Sequence, residues 1–185
     1  MADPSAHVVL VGLMGAGKST VGRRLAKELQ RPFADVDEQI ELRAGVTIPN
    51  LFSGQGEPTF RELEGTVLAD LLAHPAPLVL AAGGGVVTSA SNRAALAAAD
   101  AYVVWLRASA GFLAARTDPT HRPLLAGNAT GTLTRLLADR APLYEQVADV
   151  AVDVEPFHTG DDKPKRALAR HIAALVAGAP AEARP

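Results

Sequence analysis

The feature that most constrains the fold is a glycine-rich loop between a short apolar segment and an amphipathic one. The segment His7–Val11 is predicted to be a buried strand. It is followed by Gly12-Leu13-Met14-Gly15-Ala16-Gly17-Lys18-Ser19, which fits the pattern G-x-x-x-x-G-K-[ST]. Behind this loop, Val21, Leu25 and Leu29 are four residues apart and share one face of a predicted helix. The order of strand, loop and helix predicts a P-loop that binds a nucleoside triphosphate.

The chemistry of this loop explains its spacing. Glycines allow successive backbone N–H groups to turn inward as an anion-binding nest, and the helix N-terminus adds partial positive charge. Lys18 is expected to reach the β- and γ-phosphates, and the Ser19 hydroxyl to ligate Mg²⁺. The chain has only four Lys against fourteen Arg, so a Lys at this position is informative. The predicted ATP-binding residues of the loop are Gly15, Ala16, Gly17, Lys18, Ser19 and Thr20.

Short apolar segments alternate with helical patterns along the rest of the chain. The predicted strands are His7–Val11, Phe33–Val36, Leu78–Ala81, Ala101–Leu106 and Val150–Val154. The predicted helices are Lys18–Gln30, Asp37–Ala44, Ile48–Phe52, Thr59–Ala73, Ser91–Ala99, Ala108–Thr117, Gly131–Ala148 and Lys165–Val176. This alternation predicts an α/β fold, a three-layer arrangement in which helices flank a five-stranded parallel sheet. Ligands of such sheets bind at the carboxyl ends of the strands.

Length and composition limit the remaining possibilities. A chain of 185 residues predicts one domain, here 1–178, with 179–185 as a disordered tail. The absence of Cys excludes disulfides, thiol nucleophiles and iron–sulfur clusters. The net charge of −2 does not favour a nucleic-acid partner. The N-terminus lacks the pattern of a signal peptide, and no segment is steadily apolar enough for a bilayer, so we expect a cytoplasmic protein without membrane contact.

Other P-loop classes fit poorly. A GTPase switch normally carries D-x-x-G and N-K-x-D, and neither occurs in this sequence. A motor ATPase is usually larger and has an apolar strand that ends in a metal-binding Asp, whereas the strand that ends near Ala82 runs into glycines. A small phosphotransferase is the class that remains.

Two acidic residues and three glycines follow predicted strands. Asp35 is expected to contact the Mg²⁺ ion through a water molecule. Asp37 is expected either to accept a hydrogen bond from the hydroxyl group of the phosphoryl acceptor or to take its proton. The alternative for Asp37 is a helix N-cap, and both roles are compatible. The run Gly83-Gly84-Gly85 permits close approach of a ligand to the backbone, and the alternative is a plain turn.

Three arginines are candidate anion-binding residues. They are Arg61, Arg122 and Arg140, the first and last in predicted helices and Arg122 in a loop. A guanidinium group grips carboxylates and phosphates at two points. The alternative for any one helical Arg in so Arg-rich a chain is a solvated surface position.

Taken in order, these motifs resemble the shikimate kinase family from about Val8 to His171. The resemblance rests on the P-loop and first helix, on Asp35-Val36-Asp37, on Gly56-Glu57 with Phe60-Arg61 and Glu64, on the glycine triplet, on Arg122-Pro123-Leu124-Leu125, and on Arg140-Ala141-Pro142-Leu143-Tyr144. It implies a monomeric enzyme of the nucleoside-monophosphate-kinase-like fold that phosphorylates the 3-hydroxyl of shikimate with MgATP, in aromatic amino-acid biosynthesis.

The resemblance also implies the roles of individual residues. Arg61 and Arg140 would clamp the shikimate carboxylate, with Glu64 orienting Arg61. Asp37 and the backbone of Gly83–Gly85 would bind ring hydroxyls, in a substrate-binding segment at about 37–64. Arg122 would close onto the phosphates from a lid at about 117–130, and Arg116 would lie against the adenine.

Two other functions stay open at this stage. One is a P-loop kinase of a related cyclitol or polyol acid, such as aminoshikimate or gluconate. The other is a non-catalytic nucleotide-binding module, against which Lys18, Ser19 and Asp37 argue.

Overall fold

A computed structural model describes residues 6–117, 128–157 and 162–178 of the chain, with only the backbone of 162–164. Most of the predicted lid, including Arg122, and the predicted tail lie outside these residues. The strands are β1 (His7–Val11), β2 (Phe33–Asp35), β3 (Val79–Ala81), β4 (Ala101–Arg107) and β5 (Val150–Asp153). The helices are α1 (Lys18–Leu29), α2 (Val36–Ala44), α3 (Ile48–Leu72), α4 (Ala90–Ala98), α5 (Ala110–Ala114), α6 (Ala129–Val147) and α7 (Asp162–Gly178).

The five strands form one parallel sheet in the order β2-β3-β1-β4-β5. All five residues of the central strand β1 are buried, as expected for a strand covered on both faces. Helix α1 packs against α7, while α6 packs against α4, α5 and β4. The predicted α/β fold with helices on both faces of the sheet is confirmed.

Helix α3 consists of the two helices that the sequence predicts, Ile48–Phe52 and Thr59–Ala73, which extend toward each other and meet at Gly56. The segment Ile48–Leu72 is helical throughout except at Gly56, whose φ of 82° and ψ of 170° break the helix into two arms. Phe52 and Phe60 contact each other across this break, with ring centroids 4.7 Å apart. Residues 53–58, which the two predicted helices leave unassigned, are therefore helical except at Gly56.

No helix in the described part of the chain is long and apolar enough to cross a bilayer.

Candidate active site

The loop between β1 and α1 has the backbone of an anion-binding nest. Gly15 and Gly17 have φ of 84° and 86°, and Gly17 forms the N-terminal boundary of α1. Lys18 is the first residue of that helix, and its side chain folds back over the loop. Its ammonium group donates to the carbonyl oxygens of Gly12 at 2.8 Å and Leu13 at 3.1 Å. The positive charge therefore lies directly over the loop.

Asp35 ends β2 beside this loop and is only 7 % exposed. The Ser19 hydroxyl donates to one of its carboxylate oxygens at 2.5 Å. The other oxygen accepts from the backbone N–H of Asp37 at 3.0 Å, so Asp35 is the N-cap of α2. The prediction that Asp37 caps this helix is wrong, since α2 begins at Val36 and Asp37 lies in its first turn.

The capping bond helps to place Asp37 in a cleft beside the phosphate loop. The cleft has a volume of about 250 Å³. It is lined by Met14, Gly15, Gly17, Lys18, Ser19, Thr20, Asp35, Asp37, Ala81, Ala82, Gly84 and Arg116. Apart from the buried Ala16, the predicted phosphate-binding residues of the loop line one cavity at the carboxyl ends of β1, β2 and β3. Both aspartates and one glycine of the triplet line the same cavity.

Each glycine of the triplet lies against a different part of the site. A Cβ at Gly83 would lie 2.7 Å from Glu64 Oε1 and 3.0 Å from Asp37 Oδ1. A Cβ at Gly84 would lie 3.4 Å from the backbone nitrogen of Met14 in the phosphate loop. A Cβ at Gly85 would lie 2.8 Å from Arg61 Nη2. The triplet is therefore the point at which the carboxylates, the phosphate loop and a guanidinium group meet.

Arg61 and Glu64 form an ion pair on α3. Arg61 Nη1 donates to Glu64 Oε2 at 2.8 Å, and Nε and Nη2 both contact Oε1 of Glu57. Glu64 is 1 % exposed, and this burial raises its pKa although the hydrogen bond and charge of Arg61 oppose the shift. Burial lowers the pKa of Arg61, but Glu64 and Glu57 outweigh it, so the guanidinium remains charged.

The second guanidinium reaches the triplet from α6. Arg140 Nη1 donates to the carbonyl oxygen of Gly84 at 2.9 Å, and the hydroxyl of Tyr144 donates to the same oxygen at 2.6 Å. The two residues are four apart and so lie on one face of the helix. Arg61 on α3 and Arg140 on α6 thus contact adjacent residues of the triplet.

Arg116 also lines the cleft. It contacts the Phe112 ring, with its guanidinium carbon 5.1 Å from the ring centroid. The side chain of the next residue, Thr117, donates to the carbonyl of Leu113 and lies 2.7 Å from where a Cβ of Gly15 would stand. Thr117 is therefore packed directly on the phosphate loop.

Sequence reasoning assigned no role to Tyr144 or Asn92. Asn92 is 3 % exposed and donates to the carbonyl of Val86, just after the triplet. The signal for Tyr144 was its spacing of four residues from Arg140, whereas nothing local in the sequence marked Asn92.

The side chains beside the loop suit a hard cation with few protein ligands. The Ser19 hydroxyl and the Asp35 carboxylate are oxygen donors, which Mg²⁺ prefers, and Mg²⁺ usually keeps several waters. Among the described residues, no group of three or more His, Asp or Glu side chains forms a metal cluster. The donor set therefore fits a phosphate-bound Mg²⁺ better than a metal held by the protein alone.

Comparison with known proteins gives a consistent result. The model of the shikimate kinase family matches residues 14–175. A shikimate kinase of Pseudomonas savastanoi pv. phaseolicola is 46 % identical over 176 residues, which cover 94 % of this chain and 98 % of that protein. One of Aromatoleum aromaticum is 49 % identical over 148 residues, 79 % of this chain and 83 % of the relative.

Solved structures agree in fold. The shikimate kinase from Acinetobacter baumannii in complex with shikimate is 41 % identical and superposes with a TM-score of 0.84, covering 93 % of both chains. That from Bacteroides thetaiotaomicron is 29 % identical, with a TM-score of 0.82, over 93 % of this chain and 98 % of the other. This protein belongs to the shikimate kinase family, whose members are kinases that phosphorylate an alcohol.

Proposed function

We propose that this protein transfers the γ-phosphoryl group of MgATP to the 3-hydroxyl of shikimate, giving shikimate 3-phosphate and ADP. One observation carries the proposal: Arg61 and Arg140 both contact the glycine triplet, whose Gly84 lines the cleft together with Lys18 and the phosphate loop. Two guanidinium groups beside a phosphate-binding cleft suit a small carboxylic acid and a nucleotide.

The phosphate loop would hold the triphosphate. Backbone N–H groups of Gly15, Ala16 and Gly17, with Lys18 and the hydroxyls of Ser19 and Thr20, would surround its oxygens. Arg116, which lines the cleft, would lie against the adenine. Arg122, outside the described residues, would approach the phosphates from the lid.

Ser19 and Asp35 would hold the Mg²⁺, Ser19 directly and Asp35 through water. Their hydrogen bond of 2.5 Å supports this assignment, because it brings the two oxygen donors next to each other. The ion would neutralise charge on the phosphates. Asp35 also caps α2, so the residue near the ion would fix the helix that carries Asp37.

Asp37 would act on the acceptor hydroxyl. In a direct in-line transfer, the acceptor oxygen forms a bond to the γ-phosphorus as the bond to the β-phosphate oxygen breaks. The hydroxyl proton would pass to the Asp37 carboxylate, which lies beside Gly83 at the edge of the cleft. No covalent enzyme intermediate is needed.

Arg61 and Arg140 would bind the acceptor carboxylate, and Gly83, Gly84 and Gly85 would contact its ring hydroxyls through the backbone. The contact of Glu64 with Arg61 supports this arrangement because it fixes the guanidinium plane on the side that faces Gly85. We further propose that the protein acts as a cytoplasmic monomer.

An ADP-release assay tests the proposal with shikimate, aminoshikimate, quinate, gluconate and AMP as acceptors. We expect turnover with shikimate to exceed that with each of the others. Turnover on gluconate or AMP without turnover on shikimate would refute the proposal, and so would inactivity on every acceptor.

A further inference from the structure

The carbonyl oxygen of Gly84 accepts two hydrogen bonds from one face of α6. Arg140 Nη1 donates to it at 2.9 Å and the Tyr144 hydroxyl at 2.6 Å. A carbonyl oxygen has two lone pairs, so its capacity as an acceptor is filled. Because the peptide unit is planar, these two bonds fix the orientation of the whole peptide between Gly84 and Gly85.

Tyr144 is held rigidly where it makes this bond. Its side chain is fully buried, and its ring stacks on Trp105 with centroids 5.5 Å apart and an interplanar angle of 23°. Trp105 in turn pairs with Val11, the last residue of β1 before the phosphate loop. Burial raises the pKa of Tyr144, so the phenol keeps its proton and acts as a donor.

The opposite side of the same peptide faces away from α6. Among the described residues no peptide bond is cis, so the Gly85 N–H points opposite to the Gly84 carbonyl. Within residues 6–117, 128–157 and 162–178 this N–H donates no hydrogen bond to the protein. Gly85 lies directly beside the Arg61 guanidinium. A backbone donor is thus presented next to a residue of the proposed carboxylate clamp.

We propose that Tyr144 is a positioning residue for the phosphoryl acceptor. Its hydroxyl fixes the Gly84–Gly85 peptide so that the Gly85 N–H is directed at a ring hydroxyl of the acceptor. Tyr144 acts through the backbone and does not contact the acceptor. This inference rests on the proposed function.

The test is Tyr144→Phe, which removes the hydroxyl and keeps the ring on Trp105. The matched control is Tyr102→Phe, a half-buried tyrosine on β4 that pairs with Val8, away from the cleft. For each variant we would measure KM for ATP and for shikimate, kcat, and the dissociation constants of shikimate and of its methyl ester without nucleotide.

For Tyr144→Phe we expect the KM for shikimate to rise about tenfold, the effect of one buried hydrogen bond. The methyl ester should lose affinity by the same factor, because the peptide and not the carboxylate clamp is disturbed. The KM for ATP should stay within about twofold of wild type, and Tyr102→Phe should match wild type throughout.

Three results would overturn the inference. They are an unchanged affinity for shikimate, an equal rise in the KM for ATP, which would indicate a general structural role, and a loss for shikimate that is absent for the methyl ester, which would mean that Tyr144 acts through Arg140. Failure of the proposed function would look different, since the wild-type protein itself would then not phosphorylate shikimate.

Discussion

The two glycine-rich segments that meet in the cleft need glycine for different reasons. In the phosphate loop, Gly15 and Gly17 have φ of 84° and 86°, a left-handed conformation that costs other residues roughly 1–2 kcal/mol. None of Gly83, Gly84 and Gly85 has a positive φ. Instead, side chains fill the space that a Cβ would take at Gly83 and Gly85. The loop needs a left-handed backbone as well as room at Gly15, whereas the triplet needs only room.

This difference separates a local half of the site from a long-range half. The loop, Lys18 and Ser19 follow each other in sequence. The residues around the triplet come from α2, α3 and α6, up to 60 residues away in the case of Tyr144. Mutations in the first half should therefore mainly change the KM for ATP, and mutations in the second half should mainly change the binding of the acceptor.

The largest effect is expected where the two halves touch, at Asp37. Asp37→Asn keeps the size of the side chain and removes its basicity, so kcat should fall about 10²- to 10⁴-fold while the KM for shikimate changes little. The neighbour Glu38, exposed and paired with Arg23, offers Glu38→Gln as a control that should keep wild-type kcat. Steady-state kinetics of both variants measure the effect. A kcat of Asp37→Asn close to that of wild type would mean that Asp37 has no role in the chemical step.

Removing either guanidinium group that contacts the triplet should weaken the binding of the acceptor and leave the binding of ATP unchanged. Arg61→Ala or Arg140→Ala should weaken shikimate binding by about 2–5 kcal/mol, since a desolvated charge would lose its partner. Arg43→Ala, which removes an exposed ion pair with Asp70, is the control and should bind normally. Titration calorimetry measures the effect. The clamp would be disproved if shikimate methyl ester bound wild type as tightly as shikimate.

A pair of glycine substitutions tests the comparison directly. Alanine at Gly15 would adopt a strained φ and meet the Leu113 carbonyl at 2.7 Å, so the KM for ATP should rise roughly 5- to 30-fold from strain alone. Alanine at Gly83 would press only on the side chains of Glu64 and Asp37, and should raise the KM for shikimate by a smaller factor. Equal changes of both KM values in both variants would show that the halves are not separate.

The same division explains what the sequence predicted. The phosphate loop and the five strands follow from local patterns, and both were predicted. The N-cap of α2 was predicted at Asp37 instead of Asp35, because aspartate is an equally good capping residue at either position. Only the three-dimensional position of the Asp35 carboxylate, between the Ser19 hydroxyl and the Asp37 N–H, decides between them. Residues that act from a distance, such as Tyr144, carry little local signal.

The extent of α3 is a second feature that local patterns did not predict. The predicted helices Ile48–Phe52 and Thr59–Ala73 left residues 53–58 unassigned, yet only Gly56 leaves the helical conformation. The contact between Phe52 and Phe60 bridges this break, and the helix propensities of single residues do not include it. The same fold places Arg61 between Glu57 and Glu64, a pairing with Glu57 that the motif alone did not suggest.

The smallest expected effect is a change in the pH dependence of stability, caused by a residue at the opposite end of the sheet from both halves of the site. His7 begins β1, is 5 % exposed, and its Nδ1 accepts from the backbone N–H of Leu78 at 3.0 Å. Burial lowers the pKa of His7 below its usual 6.5; His74 lowers it further and Asp100 opposes the shift. The folded state thus binds this proton less readily than the unfolded chain.

Neutral His7 therefore contributes stability that is fully present above about pH 6.5 and is lost as the pH falls below it. Between pH 7.5 and 5.5, wild type should lose up to about 1 kcal/mol more unfolding free energy than His7→Asn, whose amide oxygen also accepts but does not titrate. Denaturant unfolding at both pH values measures this difference. Because His7 lies far from the cleft, both KM values should match wild type at pH 7.5, and identical pH slopes in wild type and His7→Asn would remove His7 as the cause.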